Sequence, residues 1–325
     1  MIFYLQALII IICTISASSA SFAQSLPGSF ARVGLNAEGM SLGNSISAVT
    51  TGNVYTYYNP ALASFQDGGS VAATVALLSL DRQLNVLTYT QGLKPTAGLS
   101  LGIINATVSN IDGRDIDGVH TSTLSTSENL IFFSFSNRFA ENFSIGVSLK
   151  VYYYSLYSGI TSTSVGFDIG GAYQLTDELS VALVGTDLGE EYHWDSSKLY
   201  GTDGSNFISK FPNVFKLGAS YKVPVIHSTI FAEYDIATSS SLSGLKAGLE
   251  VSPIEALSLR AGFSSSNQQY VGTKITPSFG FGAKVPFLNF TPEINYAYVS
   301  EPFTPYGIPC SIPLYLPAAI SLSAC

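Results

Sequence analysis

The feature that most constrains this chain is a two-residue alternation of apolar and polar side chains in residues 143–157. Every odd position there is apolar except Ser155, whereas the even positions begin with Ser144, Gly146, Ser148 and Lys150. Successive side chains of a β-strand point to opposite faces of the sheet, so this segment has one apolar and one polar face. Further charged residues lie on the polar faces of similar segments: Lys216, Lys222, Lys246, Glu250, Arg260 and Lys284.

Two architectures use strands of this kind. A soluble β-sandwich turns the apolar face inward, whereas a closed barrel in a membrane turns it outward toward lipid. Charged residues make up 11% of the chain, against about 25% in ordinary globular domains. Aromatic residues make up 12%, and barrels use them as girdles at the membrane interfaces. The composition favours the membrane barrel, with a secreted β-sandwich or solenoid as the alternative.

From residue 70 onward the alternation predicts about fourteen strands, each of roughly the length that a tilted strand needs to cross a bilayer. These strands are predicted at 70–80, 84–93, 98–109, 129–138, 142–157, 163–175, 178–187, 213–223, 228–238, 243–252, 256–265, 274–285, 288–299 and 312–324. Short connections alternate with longer ones, as in barrels with short periplasmic turns and long outer loops. We therefore predict an all-β fold, a transmembrane antiparallel up-and-down β-barrel over residues 70–325.

The N-terminal part of the chain differs from the barrel. Residues 1–23 resemble a signal peptide, because residues 8–12 form an apolar core and Ser21 and Ala23 flank a cleavage site. Residues 24–69 lack alternation and are rich in Gly, Ala, Asn and Ser, which predicts a compact hatch that plugs the barrel. The export signal and the barrel together predict localisation in a bacterial outer membrane. A disulfide between Cys310 and Cys325 is possible in an oxidising compartment. The two bracket the last predicted strand, whose ends should lie on opposite membrane faces, so we expect free thiols.

The predicted hatch contains two short motifs. The first is Gly39-Met40-Ser41-Leu42-Gly43, and the second is Tyr58-Asn59-Pro60-Ala61. Asn59 can cap a turn, and Pro60 fixes φ at its first position. An ordinary capped turn is the alternative interpretation of the second motif.

The same motifs resemble the N-terminal hatch of the PorV/PorQ family of FadL-like outer-membrane proteins. Leu62 stands where the family has a glycine, and the chain ends in Ala324 and Cys325, where family barrels often end in an aromatic residue. The resemblance implies a non-enzymatic protein that handles type IX secretion substrates at the cell surface. The alternative is a FadL-like transporter of hydrophobic small molecules, and a surface hydrolase or adhesin is a third hypothesis.

Catalytic and metal motifs are weak in this sequence. His193, Asp195 and Ser196 lie within four consecutive residues, a spacing that does not by itself supply the geometry of a catalytic triad. Residues 112–118 hold three aspartates but lack the downstream glutamate of a calcium loop. We predict no cofactor, no metal and no enzyme activity. The net charge of −8 without a basic cluster also argues against nucleic acid as a partner.

Binding is expected on the outer loops, because a barrel fixes loops rigidly and exposes them. The longest predicted loop, 188–212, carries Tyr192, Trp194, Tyr200 and Phe207 as candidate contacts. Alternatively, these rings pack the loop onto the barrel rim. The partners expected are outer-membrane lipid and either secreted proteins with their secretion components or a hydrophobic ligand.

Overall fold

A computed structural model describes residues 27–157, 159–238, 243–268, 272–285, 292–300 and 318–324. The predicted signal peptide, Cys310 and Cys325 lie outside these ranges. The boundaries of the signal peptide (1–23), the hatch (24–69) and the barrel (70–325) stay predictions.

The described part of the chain is mostly antiparallel β-structure. The strands are β1 (Gly69–Leu78), β2 (Arg82–Leu93), β3 (Ala97–Arg114), β4 (His120–Ala140), β5 (Phe143–Tyr157), β6 (Ile160–Gln174), β7 (Leu179–Leu188), β8 (Glu191–Asp195), β9 (Asn206–Lys210), β10 (Val214–Val223), β11 (Ser228–Ala237), β12 (Gly244–Ile254), β13 (Leu257–Gln268), β14 (Gly272–Lys284), β15 (Pro292–Val299) and β16 (Ala318–Ala324). The helices are α1 (Ala37–Ser41), α2 (Ser197–Tyr200) and short 3-10 turns at Ser29–Arg32, Pro60–Phe65, Gly201–Asp203 and Pro224–Ile226. No helix in these ranges is both long and apolar enough to cross a membrane.

Fourteen strands close into one barrel, in which β1 pairs with both β2 and β16. Each strand pairs with its neighbours in chain order, except that β10 follows β7 because β8 and β9 form a separate two-stranded sheet. The predicted up-and-down barrel and its strand number are confirmed. The predicted loop 110–128 is largely strand instead, because β3 and β4 continue as a paired hairpin with Asp112 opposite Thr123.

The apolar faces point outward and the polar faces inward. On β5, Val147 and Leu149 are 50% and 41% exposed on the outer surface. Lys150, the residue after Leu149, points to the opposite face and is 2% exposed. This arrangement is that of a barrel in lipid, where the surroundings are apolar and the lumen holds the polar groups.

Residues 27–69 lie in the lumen and pack against the wall. Buried side chains of this segment, such as Leu42 and Ile46, form one core cluster with wall residues such as Ile104 and Phe132. The close approach depends on wall glycines, because a Cβ at Gly146 would lie 2.5 Å from the Pro60 carbonyl carbon and one at Gly262 would lie 2.4 Å from that of Leu42. Glycines at inward-facing positions of the strands thus leave room for the backbone of the hatch.

Candidate functional site

The Asn59 motif fastens the hatch to the wall. The Asn59 side chain is fully buried and accepts a hydrogen bond from the Ala61 amide at 3.0 Å. Its amide group donates to the carbonyls of Ser47, within the hatch, and Gly171, on β6, at 2.9 and 3.2 Å. Pro60 opens the 3-10 turn that follows. The expected capped turn is therefore present, and it also bridges hatch and wall.

The remaining motif residues lie within the hatch itself. The Tyr58 hydroxyl accepts from the Leu35 amide at 3.1 Å and donates to Asn44 at 2.8 Å. Gly39 lies under the Tyr58 ring, where a Cβ would clash with the phenol. Gly43 has φ of 65° and lies against the backbone of β13. Met40 is buried in the core cluster, so both motifs serve hatch packing.

We expect Asn59→Ala to loosen the hatch and leave the barrel assembled. The substitution removes the side-chain partners of the buried Ser47 carbonyl and the buried Ala61 amide, and each unsatisfied group costs about 1–3 kcal/mol. Single-channel conductance should rise while the heat-dependent gel mobility of the barrel stays unchanged. Asn206→Ala, at an exposed position of β9, is the matched control. Equal conductance of the two variants would reduce the motif to a plain turn.

A first charge cluster, the Asp187 cluster, comprises Arg32, Lys150, Asp168, Asp187 and Glu190. The Lys150 ammonium lies 2.7 Å from Asp168 and 3.2 Å from Asp187. Arg32, from the hatch, binds the other oxygen of Asp187 at 3.0 Å. Burial raises the pKa of the Glu190 carboxyl to about 9. The cluster joins the hatch, the wall and the start of the 188–212 segment.

A second charge cluster, the Arg260 cluster, comprises Arg260, Glu250, Glu293 and Glu38 and contacts the hatch at α1. Arg260 on β13 lies 2.5 Å from Glu250, 3.1 Å from Glu293 and 3.6 Å from Glu38 of α1. Glu38 also accepts a hydrogen bond from the Tyr55 hydroxyl at 2.9 Å. One guanidinium therefore serves three carboxylates, and burial raises the pKa of Glu38 to about 7.

Because of this shift, we expect hatch docking to weaken as the pH rises. The docked hatch holds a proton on Glu38 that an undocked, solvated Glu38 releases near its ordinary pKa of 4.5. The docked state therefore binds more protons between about pH 4.5 and 7, and it loses relative stability across that window as the pH rises. Conductance should increase from pH 5 to pH 8.

Glu38→Gln should flatten this part of the pH profile, because the amide stays neutral throughout. The charges that face Glu38 are Arg260, Glu250 and Glu293 on three wall strands, and they are unchanged in the variant. Glu255→Gln, in an exposed turn, should retain the wild-type profile. An identical profile for Glu38→Gln and wild type would contradict the assignment.

A third ion-paired group lies in the lumen, on two neighbouring strands. Lys246 on β12 lies 3.0 Å from Glu233 and 2.6 Å from Asp235, both on β11. Between this group and the Asp187 cluster lies a cavity of about 180 Å³, whose lining includes Arg32, Lys216 and Tyr58. The lumen beside the hatch is therefore polar and charged.

The 188–212 segment folds back over the lumen as a cap built on β8 and β9. Tyr192 and Trp194 are 1% and 6% exposed and pack inward, as the alternative of packing onto the barrel predicts. Tyr200 and Phe207 are 65% and 52% exposed, and their role as contacts stays a prediction. The amides of Glu191 and His193 donate to serine hydroxyls of β6. These bonds turn alternate β8 side chains inward.

The underside of the cap forms an aromatic cluster with the wall. Tyr192 lies 4.9 Å from Phe211 and 5.4 Å from Trp194 between ring centroids. From β5, Tyr152 lies 5.0 Å from Phe211, and Tyr154 lies 5.2 Å from Trp194. We call these five rings the cap cluster. It adjoins the Asp187 cluster, since the Tyr152 hydroxyl donates to Asp187 at 3.3 Å.

The two weak motifs of the sequence form local structure. His193 pairs with Glu191 at 3.0 Å, and the Ser196 hydroxyl donates to the Ser205 carbonyl at 3.1 Å, so serine and histidine are engaged elsewhere. In the acidic turn, Asp112 pairs with Arg114 at the tip of the β3–β4 hairpin.

Comparison with known proteins gives structural matches only. No protein-family model matches the sequence, and no curated protein matches it. Among solved structures, the CymD monoaromatic hydrocarbon channel is 14% identical with a TM-score of 0.61, over 90% of this chain and 96% of that one. The Pseudomonas putida toluene transporter TodX is 15% identical with a TM-score of 0.60, over 90% and 96%.

A Pseudomonas aeruginosa FadL homologue is 11% identical with a TM-score of 0.56, over 89% of this chain and 97% of that one. The FadL-like part of the expected resemblance is supported, and nothing in these matches points to PorV/PorQ or to type IX secretion. The chain has the fold of the FadL-type channels.

Proposed function

We propose that this protein is an outer-membrane channel that passes a hydrophobic small molecule across a hatch-closed barrel. The observation that carries the proposal is the cap cluster, an apolar group of five rings placed over a polar lumen. Aromatic rings attract one another by about 0.5–1.5 kcal/mol per pair beyond the burial of their surface. A hydrophobic ligand can replace such ring contacts, whereas a hydrated solute cannot.

The fold supports the same assignment. Its neighbours include a monoaromatic hydrocarbon channel and a toluene transporter, and the outward apolar face of the barrel suits an outer membrane. The hatch packs onto the wall through close contacts in the lumen, so passage of a ligand requires the hatch to move. The transport alternative thus has support that the secretion interpretation lacks.

Uptake measurements with two cap variants test the proposal. Radiolabelled toluene and a radiolabelled long-chain fatty acid are offered to a host that lacks its own hydrophobic-substrate channel. Trp194→Ala removes an inward ring and should raise the half-saturating concentration roughly 2- to 10-fold, the equivalent of one aromatic contact. Tyr200→Ala removes a ring that is 65% exposed on the cap and should leave uptake unchanged.

Two results would contradict the channel assignment. The first is an uptake rate equal to that of the empty host for both probes. The second is a deletion strain of the native organism that accumulates secreted proteins in its periplasm, which would favour handling of secretion substrates. A stronger effect of Tyr200→Ala than of Trp194→Ala would place the contact on the outer surface of the cap.

A further inference from the structure

Glu190 is a buried carboxylate that no neighbouring group satisfies. It is 3% exposed, and neither of its oxygens has a hydrogen-bond partner in the described part of the chain. Its side chain fills the space above Gly166 on β6, where a Cβ would overlap its carboxyl carbon. Buried ionised carboxylates are normally paired or bound to metal, so an ionised Glu190 needs a cation as its partner.

The Glu190 carboxylate points at two further acids. Oxygen atoms of Asp168, Asp187 and Glu190 all lie within 4.8 Å of one another. Without a cation Glu190 keeps its proton near neutral pH, because burial raises its pKa to about 9. A bound cation would displace that proton, and the three ionised acids would then exceed Lys150 and Arg32 by one net negative charge. The excess charge lies on the side of Glu190, because both cations are bound to the aspartates.

The two aspartates are held in place by groups behind them. Asp168 accepts from the Asp187 amide at 3.0 Å and from Lys150, and Asp187 accepts from Arg32 and Tyr152. Metal-binding carboxylates are commonly oriented by such outer hydrogen bonds. Lys150 and Arg32 therefore act as outer partners of a three-carboxylate site.

We propose that Asp168, Asp187 and Glu190 bind a hard, oxygen-ligated cation of the Ca²⁺ or Na⁺ type. An all-oxygen set of carboxylates suits hard cations and offers nothing to soft ones. Of the three acids, Asp187 also lines the 180 Å³ lumenal cavity, together with Lys150 and Arg32, so the cavity reaches the site at Asp187. This inference is independent of the transported ligand.

A cation at this position would tie three parts of the molecule together. Asp168 belongs to β6, Asp187 to β7, and Glu190 to the start of the cap. The hatch joins through Arg32, which binds Asp187. Cation binding would therefore stabilise the closed cap and, through Arg32, the docked hatch.

The test compares chelator-washed wild type with Glu190→Gln in a zwitterionic detergent. Thermal unfolding and isothermal titration calorimetry are run with CaCl₂, with NaCl, and with choline chloride at equal ionic strength. A ligand that binds only the folded state raises the unfolding temperature as its concentration rises. Asp195→Asn, at a fully exposed carboxylate of the cap, is the matched control.

We expect one saturable binding event and a concentration-dependent rise of the unfolding temperature in wild type and in Asp195→Asn. Both should be lost in Glu190→Gln, which keeps the shape of the side chain but cannot ionise to bind a cation. A response to Ca²⁺ alone identifies a divalent site, and a response to Na⁺ above the choline baseline identifies a monovalent one. The proposal is overturned if neither cation exceeds choline, or if Glu190→Gln responds as strongly as wild type.

Discussion

Lys150→Gln should lower the free energy of unfolding by about 3–5 kcal/mol, the usual effect of removing one partner from a buried ion pair. Lys150 is 2% exposed, and its ammonium binds Asp168 and Asp187 and lies 4.8 Å above the Tyr57 ring. The substitution leaves Arg32 as the remaining cation for the buried carboxylates of the Asp187 cluster. The alternation of β5 alone suggests a mild effect, since it places Lys150 on a polar face, but that face is the closed interior of a plugged barrel.

Lys222→Gln is the matched control for this prediction. Lys222 also lies on a polar face, at the end of β10, but it is partly exposed and forms no ion pair within the described ranges. Its substitution should change the free energy of unfolding by less than about 0.5 kcal/mol. Urea unfolding of the detergent-folded barrels measures both variants. Equal effects would mean that water reaches Lys150 and that its ion pairs contribute little.

The sequence predicts the barrel well because lipid imposes a strict alternation on every spanning strand. The segment predicted at 142–157 is β5, Phe143–Tyr157, and its faces point as expected. Prediction fails where the strands leave the membrane. Residues 109–126 are rich in Ser, Thr and Asp, like a loop, yet they form most of a hairpin, because a strand that projects into water needs no apolar face.

The candidate site is less predictable because its contacts join distant parts of the sequence. Arg32 and Glu38 are two of the three charged residues in 24–69, and that scarcity could have singled them out. Their partners could not have been found in this way, since Arg32 and Asp187 are 155 residues apart.

The sequence of the cap contains a strand-like alternation that is overlooked when the segment is assigned as a loop. Residues 191–195 alternate between inward rings and outward polar side chains, with Tyr192 and Trp194 buried and His193 exposed. This is the period of a strand, and it predicts that half of the aromatic side chains face the lumen. The composition of the segment alone suggests an exposed recognition loop.

Leu149→Arg should lower the free energy of unfolding by about 2–4 kcal/mol, the penalty for arginine at the lipid face near the bilayer midplane. Leu149 lies in the middle of β5 and is 41% exposed on the outer surface. The penalty falls to about 0–1 kcal/mol near the membrane interfaces. An outward-facing position of the same strand that lies nearer the interface therefore provides the control. The polar limit of the lipid face is marked by Asn105 and Asn129, which are hydrogen-bonded to each other at 2.7 Å.

Tyr153 lies directly beside Asn129, on the same face of β5 as Leu149 and four residues further along the strand. Tyr153→Arg therefore introduces the same side chain at the interface and should cost at most about 1 kcal/mol. Folding titrations into phospholipid bilayers measure both variants against wild type. A soluble sandwich would bury one of its two faces and have no membrane depth at all, so equal penalties at the two positions would contradict a lipid-facing strand. A penalty that grows from Tyr153 to Leu149 requires an apolar slab whose centre lies near Leu149, because water on the outer surface would solvate arginine equally well at both positions.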